Sequence, residues 1–228
     1  MTDRRKILLL GGRSAQEHGL IAGCRRYLRQ HELPWRLQVR KNLNADAAAL
    51  PPADAVIGFL KNRELRTYVR RHRVPVAGVG QPQDGGPRSA VVAVDNAAVG
   101  ALAADFAVQQ GCAALGLIGW QGRRSFRFTP AAERAGQLGL PVRHYRRRLQ
   151  DFDQPSEKDA DLQAWLARQP RPLLAFCIQD KAAAWCAGLC VRAGIAVPEV
   201  VSVLGVDDDA WLCEQQQPTL SSIRIPWA

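Results

Sequence analysis

Three consecutive aspartates follow an apolar segment near the end of the chain. Asp207, Asp208 and Asp209 come directly after Val201–Val206, a run that is typical of a buried strand. Asp207 is therefore expected at the carboxyl end of that strand. A carboxylate there accepts two hydrogen bonds at once, and bonds to a charged acceptor are stronger than neutral ones. Asp207 is our first candidate for binding a small polar ligand. In the alternative interpretation, Asp207 or Asp208 caps the next turn.

A second group of polar candidates surrounds the first turn between a strand and a helix. Ser14, Gln16, Glu17 and His18 are placed to touch a ligand from the amino-terminal part of the chain. Ser14 and Glu17 also have the S-x-x-E spacing of a capping box, so the capping interpretation stays open. Trp120 ends a later strand and is a candidate for stacking on a ligand ring, although large aromatics more often pack in the core.

The residues that most often carry catalysis or bind metals form no recognisable pattern. The six cysteines, at positions 24, 112, 177, 186, 190 and 213, contain no C-x-x-C pair, and the four histidines are scattered. Gly11-Gly12-Arg13-Ser14 is not a complete G-x-G-x-x-G, and there is no Walker loop or G-x-S-x-G elbow. We expect buried structural thiols, no metal, no cofactor and no enzymatic activity.

Length and composition indicate a folded protein with an excess of basic residues. The chain has 228 residues, 47% of them hydrophobic and 23% charged, with a net charge of +10. The charge suits a protein that works beside nucleic acid, although we favour the interpretation that basic clusters such as Arg63 to Arg73 are arginine-rich solvated faces of an arginine-biased composition. The apolar run Ile7 to Leu10 is too short for a signal peptide or a membrane span, so we expect a cytoplasmic protein.

Strand and helix patterns alternate along the whole chain, which is the order of an α/β protein with parallel sheets. Strands are predicted at 6–11, 35–39, 53–59, 74–79, 90–94, 114–119, 142–145, 173–178, 201–206 and 220–225. Amphipathic helices lie between most of them, with Asp95 or Asn96 capping one and Asp180 capping another.

The rhythm restarts after Gly111, which predicts two lobes at 1–110 and 111–228, each a parallel sheet flanked by helices. In such sheets, ligands bind outside the carboxyl ends of the strands. We therefore expect a cleft between the lobes that closes on a small molecule.

Several motifs resemble the sensor domains of LacI/GalR-type regulators, and most closely those of xylose regulators of the AraC family. They are His18 to Tyr27, Val92 to Asn96 with Gly111, Val197 to Asp208, and Pro218 to Ser222. The resemblance covers nearly the whole chain and implies a two-lobed, periplasmic-binding-protein-like fold of type I.

The resemblance also implies roles for individual residues. Similar regulators use an aspartate at the position of Asp207 to accept sugar hydroxyls. Gln179 stands where relatives have asparagine, and Arg127, favoured over Arg123 and Arg124, matches an arginine that binds the ligand. Relatives often have an aromatic residue near Gln16, and its absence puts a pentose such as xylose in doubt.

From the resemblance we expect the effector-binding domain of a sugar-responsive transcription regulator that binds a small, xylose-like sugar. A degenerate, ligand-free dimerisation platform and a solute-binding receptor are the alternatives. The family carries its last helix and its DNA-binding domain after the last sensor strand. We therefore expect the chain to stop before both, to bind DNA only through a domain absent from it, and to form a homodimer.

Overall fold

A computed structural model describes residues 5–11, 15–40, 52–80, 86–120, 126–147 and 159–226. The chain divides into two compact units, one formed by Met1–Val94 with Pro226–Ala228 and the other by Asp95–Ile225. Each unit contains its own five-stranded parallel sheet with flanking helices. The predicted α/β class with two separate sheets is therefore confirmed.

The described residues of the first unit form five strands and two helices, which are β1 Lys6–Leu10, α1 Ala15–Gln30, β2 Arg36–Arg40, β3 Ala55–Phe59, α2 Arg63–His72, β4 Val76–Val79 and β5 Ser89–Val92. The strand order in the sheet is β2-β1-β3-β4-β5. Side chains of a strand alternate between its two faces, so Leu8 and Leu10 point to the same side. They form a buried cluster with Val56 of β3 and with Leu65 and Tyr68 of α2.

In the second unit, the part of the chain that the structure describes forms five strands and five helices, which are α3 Asn96–Gln109, β6 Ala114–Trp120, α4 Phe128–Gln137, β7 Val142–Arg147, α5 Asp159–Ala167, β8 Leu173–Cys177, α6 Asp180–Arg192, β9 Val201–Val206, α7 Ala210–Glu214 and β10 Ser221–Ile223. The strand order is β7-β6-β8-β9-β10. Counted from the first strand of each unit, the two sheets therefore share one order. All five residues of β8 are buried, as expected of a central parallel strand that is covered on both faces.

The predicted strands all occur, most of them within one or two residues of their predicted bounds. The short helix α7 was not predicted, and β10 covers only Ser221–Ile223 of the predicted 220–225. The units divide between Val94 and Asp95 rather than at 110/111, because α3 packs against α4, β6 and β8 of the second unit. A membrane-spanning helix, which needs about twenty apolar residues, is not found in the described part of the chain.

Helix α3 approaches α4 closely at Gly100. A Cβ atom at this position would overlap the carbonyl oxygen of Arg127 and would lie 2.7 Å from the backbone nitrogen of Ala131. The contacting atoms belong to the backbone at the start of α4, so they cannot rotate away. The absence of a side chain at Gly100 therefore sets where α4 begins and where the backbone of Arg127 lies.

Gly100→Ala should lower the free energy of unfolding by about 1–3 kcal/mol, because overpacking against backbone outweighs the better helix propensity of alanine. Gly136→Ala is the matched control, since this glycine lies in α4 and an added Cβ would meet nothing within 4 Å. The control should be neutral or stabilising by up to about 1 kcal/mol. Urea unfolding of both variants measures the difference, and equal stabilities would show that the helices separate without strain.

Candidate functional site

The candidate site lies at the carboxyl ends of the strands in the second sheet, near the point where the strand order changes direction. From β6 the chain continues to β7 on one side, whereas β8, β9 and β10 lie on the other side. Ligands of open parallel sheets bind outside the carboxyl ends of the strands at this switch point. Arg127 follows β6, Ile178 and Gln179 follow β8, and Asp207 follows β9. Three of the predicted site residues therefore come from loops at one edge of one sheet.

Arg127 is held at this edge by two hydrogen bonds. Its Nε donates to Oδ1 of Asn96, at 3.0 Å, and its Nη1 donates to the carbonyl oxygen of Ile178, at 2.7 Å. Asn96 is buried at the start of α3, and Ile178 directly follows β8. Because the guanidinium is planar and rigid, two bonds in different directions determine its orientation. Its remaining N–H groups bond to none of the described residues.

The charge of Arg127 is partly shielded from water. Burial lowers the pKa of its guanidinium from the usual value, whereas the nearby carboxylates of Asp207 and Asp180 oppose that change. Arginine still stays protonated in proteins. The site therefore combines one half-buried cation with two carboxylates, and its charges partly offset each other.

Asp207 occupies an unusual backbone conformation directly after β9. Its φ is 109°, and the next residue, Asp208, has a φ of 54°. Its backbone N–H donates to the carbonyl oxygen of Ile223 in β10, at 3.0 Å. Positive φ values at residues other than glycine are unfavourable, and they persist where the surrounding structure over-determines them. Here two consecutive residues have positive φ values. Their backbone conformation determines the direction of the chain at the half-buried Asp207, directly after β9.

The two neighbouring aspartates have other roles. The carboxylate of Asp208 accepts a hydrogen bond from Nε of Arg224, at 2.6 Å. Asp209 is the residue that caps α7, because its Oδ1 accepts from the backbone N–H of Trp211, at 3.2 Å. The N-cap residue of α7 is therefore Asp209 and not Asp207 or Asp208.

Asp180 does not cap α6 as predicted. The N-cap residue is Gln179, which makes no side-chain cap bond, and Asp180 is the first helical residue. Its carboxylate instead accepts from the backbone N–H of Asp209, at 2.7 Å, and from Oγ of Ser222, at 2.5 Å. The Asp180 side chain thus connects α6 to the turn after β9 and to β10, which a capping bond would not allow.

The surroundings of Asp180 keep its carboxylate almost fully buried, at 2% exposure. A Cβ at position 205 in β9 would overlap Oδ1 of Asp180, so glycine there makes room for the carboxylate. Burial raises the pKa of Asp180, and its hydrogen bonds from Ser222 and Asp209 oppose this rise. Burial and the adjacent Asp180 carboxylate raise the pKa of Cys213 to about 12, so Cys213 is a neutral thiol at physiological pH.

Gln179 lies between Ile178, which binds Arg127, and Asp180. It is half-buried with an extended backbone, and its amide is not used to cap α6. This position is compatible with the predicted ligand contact. The long side chain has both donors and acceptors.

The other predicted residues lie in the first unit, at the end of β6 or outside the described part of the chain. Gln16 is half-buried in the first turn of α1, in the first unit. Ser14, Arg123 and Arg124 lie outside the described residues. Trp120 is the last residue of β6, in register with Arg147 of β7.

Two members of the site were missed as functional residues. Asn96 was considered only as a helix cap, and Asp95 fills that role because its Oδ1 accepts from the backbone N–H of Ala98, at 2.9 Å. In the sequence, Ser222 stands out only as part of the motif Pro218 to Ser222. Asn96 could have been identified because Asp95, directly before it, is sufficient to cap α3, which leaves the amide of Asn96 available for another role.

Comparison with known proteins agrees with this architecture. The family model described as a periplasmic binding protein-like domain matches residues 104–228. No curated protein sequence matches the chain.

Solved structures with the same fold include several transcription regulators. A probable maltose operon repressor from Staphylococcus aureus has a TM-score of 0.76 at 16% identity, over 99% of this chain and 86% of that one. The regulator CelR in complex with cellobiose has a TM-score of 0.74 at 19% identity, over 100% of this chain and 75% of that one. The xylose-binding activator XylR has a TM-score of 0.74 at 20% identity, over 98% of this chain but only 59% of that one.

Asp180→Asn should change how stability depends on pH. The raised pKa means that the folded protein holds the carboxyl proton more tightly than the unfolded chain does. The resulting stabilisation is complete below the ordinary value of 3.8 and is lost as the pH rises through the folded-state pKa. As the pH rises above 3.8, the free energy of unfolding of the protein with Asp180 should therefore decrease relative to that of the Asp180→Asn variant.

Urea unfolding of both proteins at a series of pH values measures this difference. Asp161→Asn, at an exposed position of α5, controls for the change in net charge. If the parent gained stability relative to Asp180→Asn over the same range, the hydrogen bonds rather than burial would dominate at Asp180.

Proposed function

Because the chain belongs to the periplasmic binding protein-like domain family, we propose that it is the effector-sensing domain of a sugar-responsive transcription regulator. A small sugar binds at the carboxyl edge of the second sheet, beside Arg127 and Asp207. The observation that carries this proposal is the oriented guanidinium of Arg127 at the switch point between β6 and β8, close to a carboxylate.

The chemistry of this edge suits a neutral ligand with many hydroxyl groups. Asp207 accepts hydrogen bonds, Arg127 donates them, and the amide of Gln179 does both. A sugar hydroxyl donates to one neighbour and accepts from another, so it satisfies all three kinds of group. An anionic ligand would meet the carboxylates of Asp207 and Asp180, and a cationic one would meet Arg127. A neutral ligand avoids both repulsions.

The other predicted residues extend this proposal. Trp120, at the end of β6, is proposed to stack on the sugar ring, and Gln16 and Ser14 are the remaining proposed ligand contacts. Gln179 is one methylene longer than the asparagine of similar regulators, so it reaches a smaller ligand. These roles fit a pentose of the xylose type.

Two of the similar regulators support the ligand class. One is a complex with cellobiose, and another is a xylose-binding activator. The regulator then acts in the cytoplasm as a homodimer, reaches DNA through a domain absent from this sequence, and catalyses no reaction. A ligand-free dimerisation platform and a solute-binding receptor are the competing functions.

A sugar that binds the folded protein should raise its melting temperature. At a ligand concentration of about 100 times the dissociation constant, linkage stabilises the fold by about 2.7 kcal/mol, or roughly 5–10 °C. Differential scanning fluorimetry with D-xylose, other pentoses, hexoses and cellobiose at millimolar concentrations measures this shift. If no sugar shifts the melting temperature, the ligand-free platform replaces the proposed function.

Asp207→Asn should weaken binding of the sugar found in that panel. Asparagine tolerates positive φ better than alanine does, so this variant removes the charge and one acceptor with little change in the backbone. Losing a hydrogen bond to a charged acceptor corresponds to roughly a 10- to 150-fold higher dissociation constant. Isothermal titration calorimetry measures it.

Asp208→Asn is the matched control for this experiment. It removes the same charge from the next residue, whose carboxylate pairs with Arg224. The control should change sugar affinity by less than about threefold, because exposed ion pairs contribute little. If Asp208→Asn lowered the affinity as much as Asp207→Asn, the effect would reflect the turn rather than a ligand contact.

A further inference from the structure

Helix α2 in the first unit carries a row of arginines along one side. Leu65 and Tyr68 face inward and are almost fully buried, whereas Arg63, Arg66 and Arg70 are exposed. The spacing of three and four residues places these arginines next to one another along the helix. From Arg63 to Arg70 the row is about 10 Å long, at 1.5 Å per residue.

This row forms one wall of an open groove of about 940 Å³. The floor of the groove is apolar and is formed by the half-buried Val69, Val74 and Val76, together with Leu60 and Leu65, which are almost fully buried. The opposite wall is the turn before β5, where Arg88 provides another positive charge. Every one of these residues belongs to the first unit, so the groove is a property of that unit alone.

Hydrogen bonds hold the opposite wall in place. The hydroxyl of Ser89 accepts a hydrogen bond from the backbone N–H of Gly86, at 2.5 Å. It also donates a hydrogen bond to the carbonyl oxygen of Gly86, at 2.7 Å. Arg88 donates through Nη1 to the carbonyl oxygen of Arg73, at 3.1 Å, so it connects this turn to the end of α2. Arg73 ends α2 in the left-handed conformation, with a φ of 52°.

The groove combines a strong positive charge with an apolar floor. Its lining includes five arginines, at positions 63, 66, 70, 73 and 88, and none of the described residues that line it is acidic. Within the described part of the chain, none of the five forms an ion pair with a carboxylate. A partly exposed apolar surface beside arginines that have no carboxylate partner among the described residues indicates an interaction site whose partner supplies apolar groups and negative charge.

We propose that this groove is a docking surface for an acidic amphipathic helix of a partner protein. The apolar face of such a helix covers the floor, as in other helix-in-groove complexes. Glutamates seven residues apart on the partner have the same spacing as Arg63 and Arg70, so they pair with both when the helices lie side by side. Duplex DNA would satisfy the arginines but leave the apolar floor uncovered, and a small anion would not extend along the row.

The test uses a fluorescein-labelled peptide of about 18 residues made of leucine, glutamate and alanine, with leucine on one helical face and glutamate on both flanks. Its binding to the whole chain is followed by fluorescence anisotropy. Replacing Arg63, Arg66 and Arg70 together with glutamine should raise the dissociation constant at least about fivefold, since three exposed ion pairs are lost. Glutamine has nearly the helix propensity of arginine, so α2 should remain folded, which circular dichroism verifies.

Matched controls decide between this proposal and non-specific attraction. Replacing Arg25, Arg26 and Arg29 with glutamine removes the same charge from the exposed side of α1 and should change the affinity less than about twofold. A peptide of identical composition but shuffled order, which lacks an apolar face, should bind at least about tenfold more weakly. Equal effects of the two triple variants, or equal binding of the shuffled peptide, would overturn the proposal. If a duplex DNA of about 20 base pairs displaced the labelled peptide at a lower concentration than the unlabelled peptide does, the proposal would also be overturned and the groove would be assigned to nucleic acid.

Discussion

The second unit depends on one buried carboxylate, that of Asp180. It accepts hydrogen bonds from the backbone of Asp209 and from the hydroxyl of Ser222, which in turn accepts from the backbone N–H of Asp208, at 3.0 Å. A buried charge is unfavourable unless its hydrogen-bonding capacity is used. These bonds therefore stabilise one arrangement of the turn after β9 relative to β10 and α6. That turn contains the two consecutive positive φ values of Asp207 and Asp208.

Arg127 is positioned by an independent set of contacts on the other side of the switch point. Its backbone is placed by the close approach of α3 and α4 at Gly100, and its guanidinium by Asn96 and the carbonyl oxygen of Ile178. Asp207 and Arg127 therefore reach the same sheet edge from segments that different hydrogen bonds hold in place. This separation has a functional advantage, since each group is oriented before a ligand arrives and less conformational freedom is lost on binding.

The arginines of this protein act in two physically different ways. Arg127 is half-buried, two hydrogen bonds orient its guanidinium, and two carboxylates lie near it. Its role therefore depends on the direction of its N–H groups and is confined to its immediate surroundings. The arginines of the α2 groove are exposed, and among the described residues they have no carboxylate partner. Their effect is long-ranged and depends on ionic strength. Both uses contribute to the same net charge of +10, which by itself does not distinguish them.

The sequence alone determined the strands, because most of them are local apolar runs, and it also placed Asp207 and Arg127 after the correct strands. It did not determine the role of Asp180, whose partners Asp209 and Ser222 lie 29 and 42 residues away. Asn96 accepts a hydrogen bond from Arg127, which lies 31 residues away in the sequence. The packing of α3 against the second sheet and α4 likewise places the boundary between the units at Val94 and Asp95, which the sequence did not indicate. Local patterns report which backbone conformation a segment prefers. Only the tertiary structure decides which distant polar groups meet, because a buried donor or acceptor takes whichever partner the packing brings within reach.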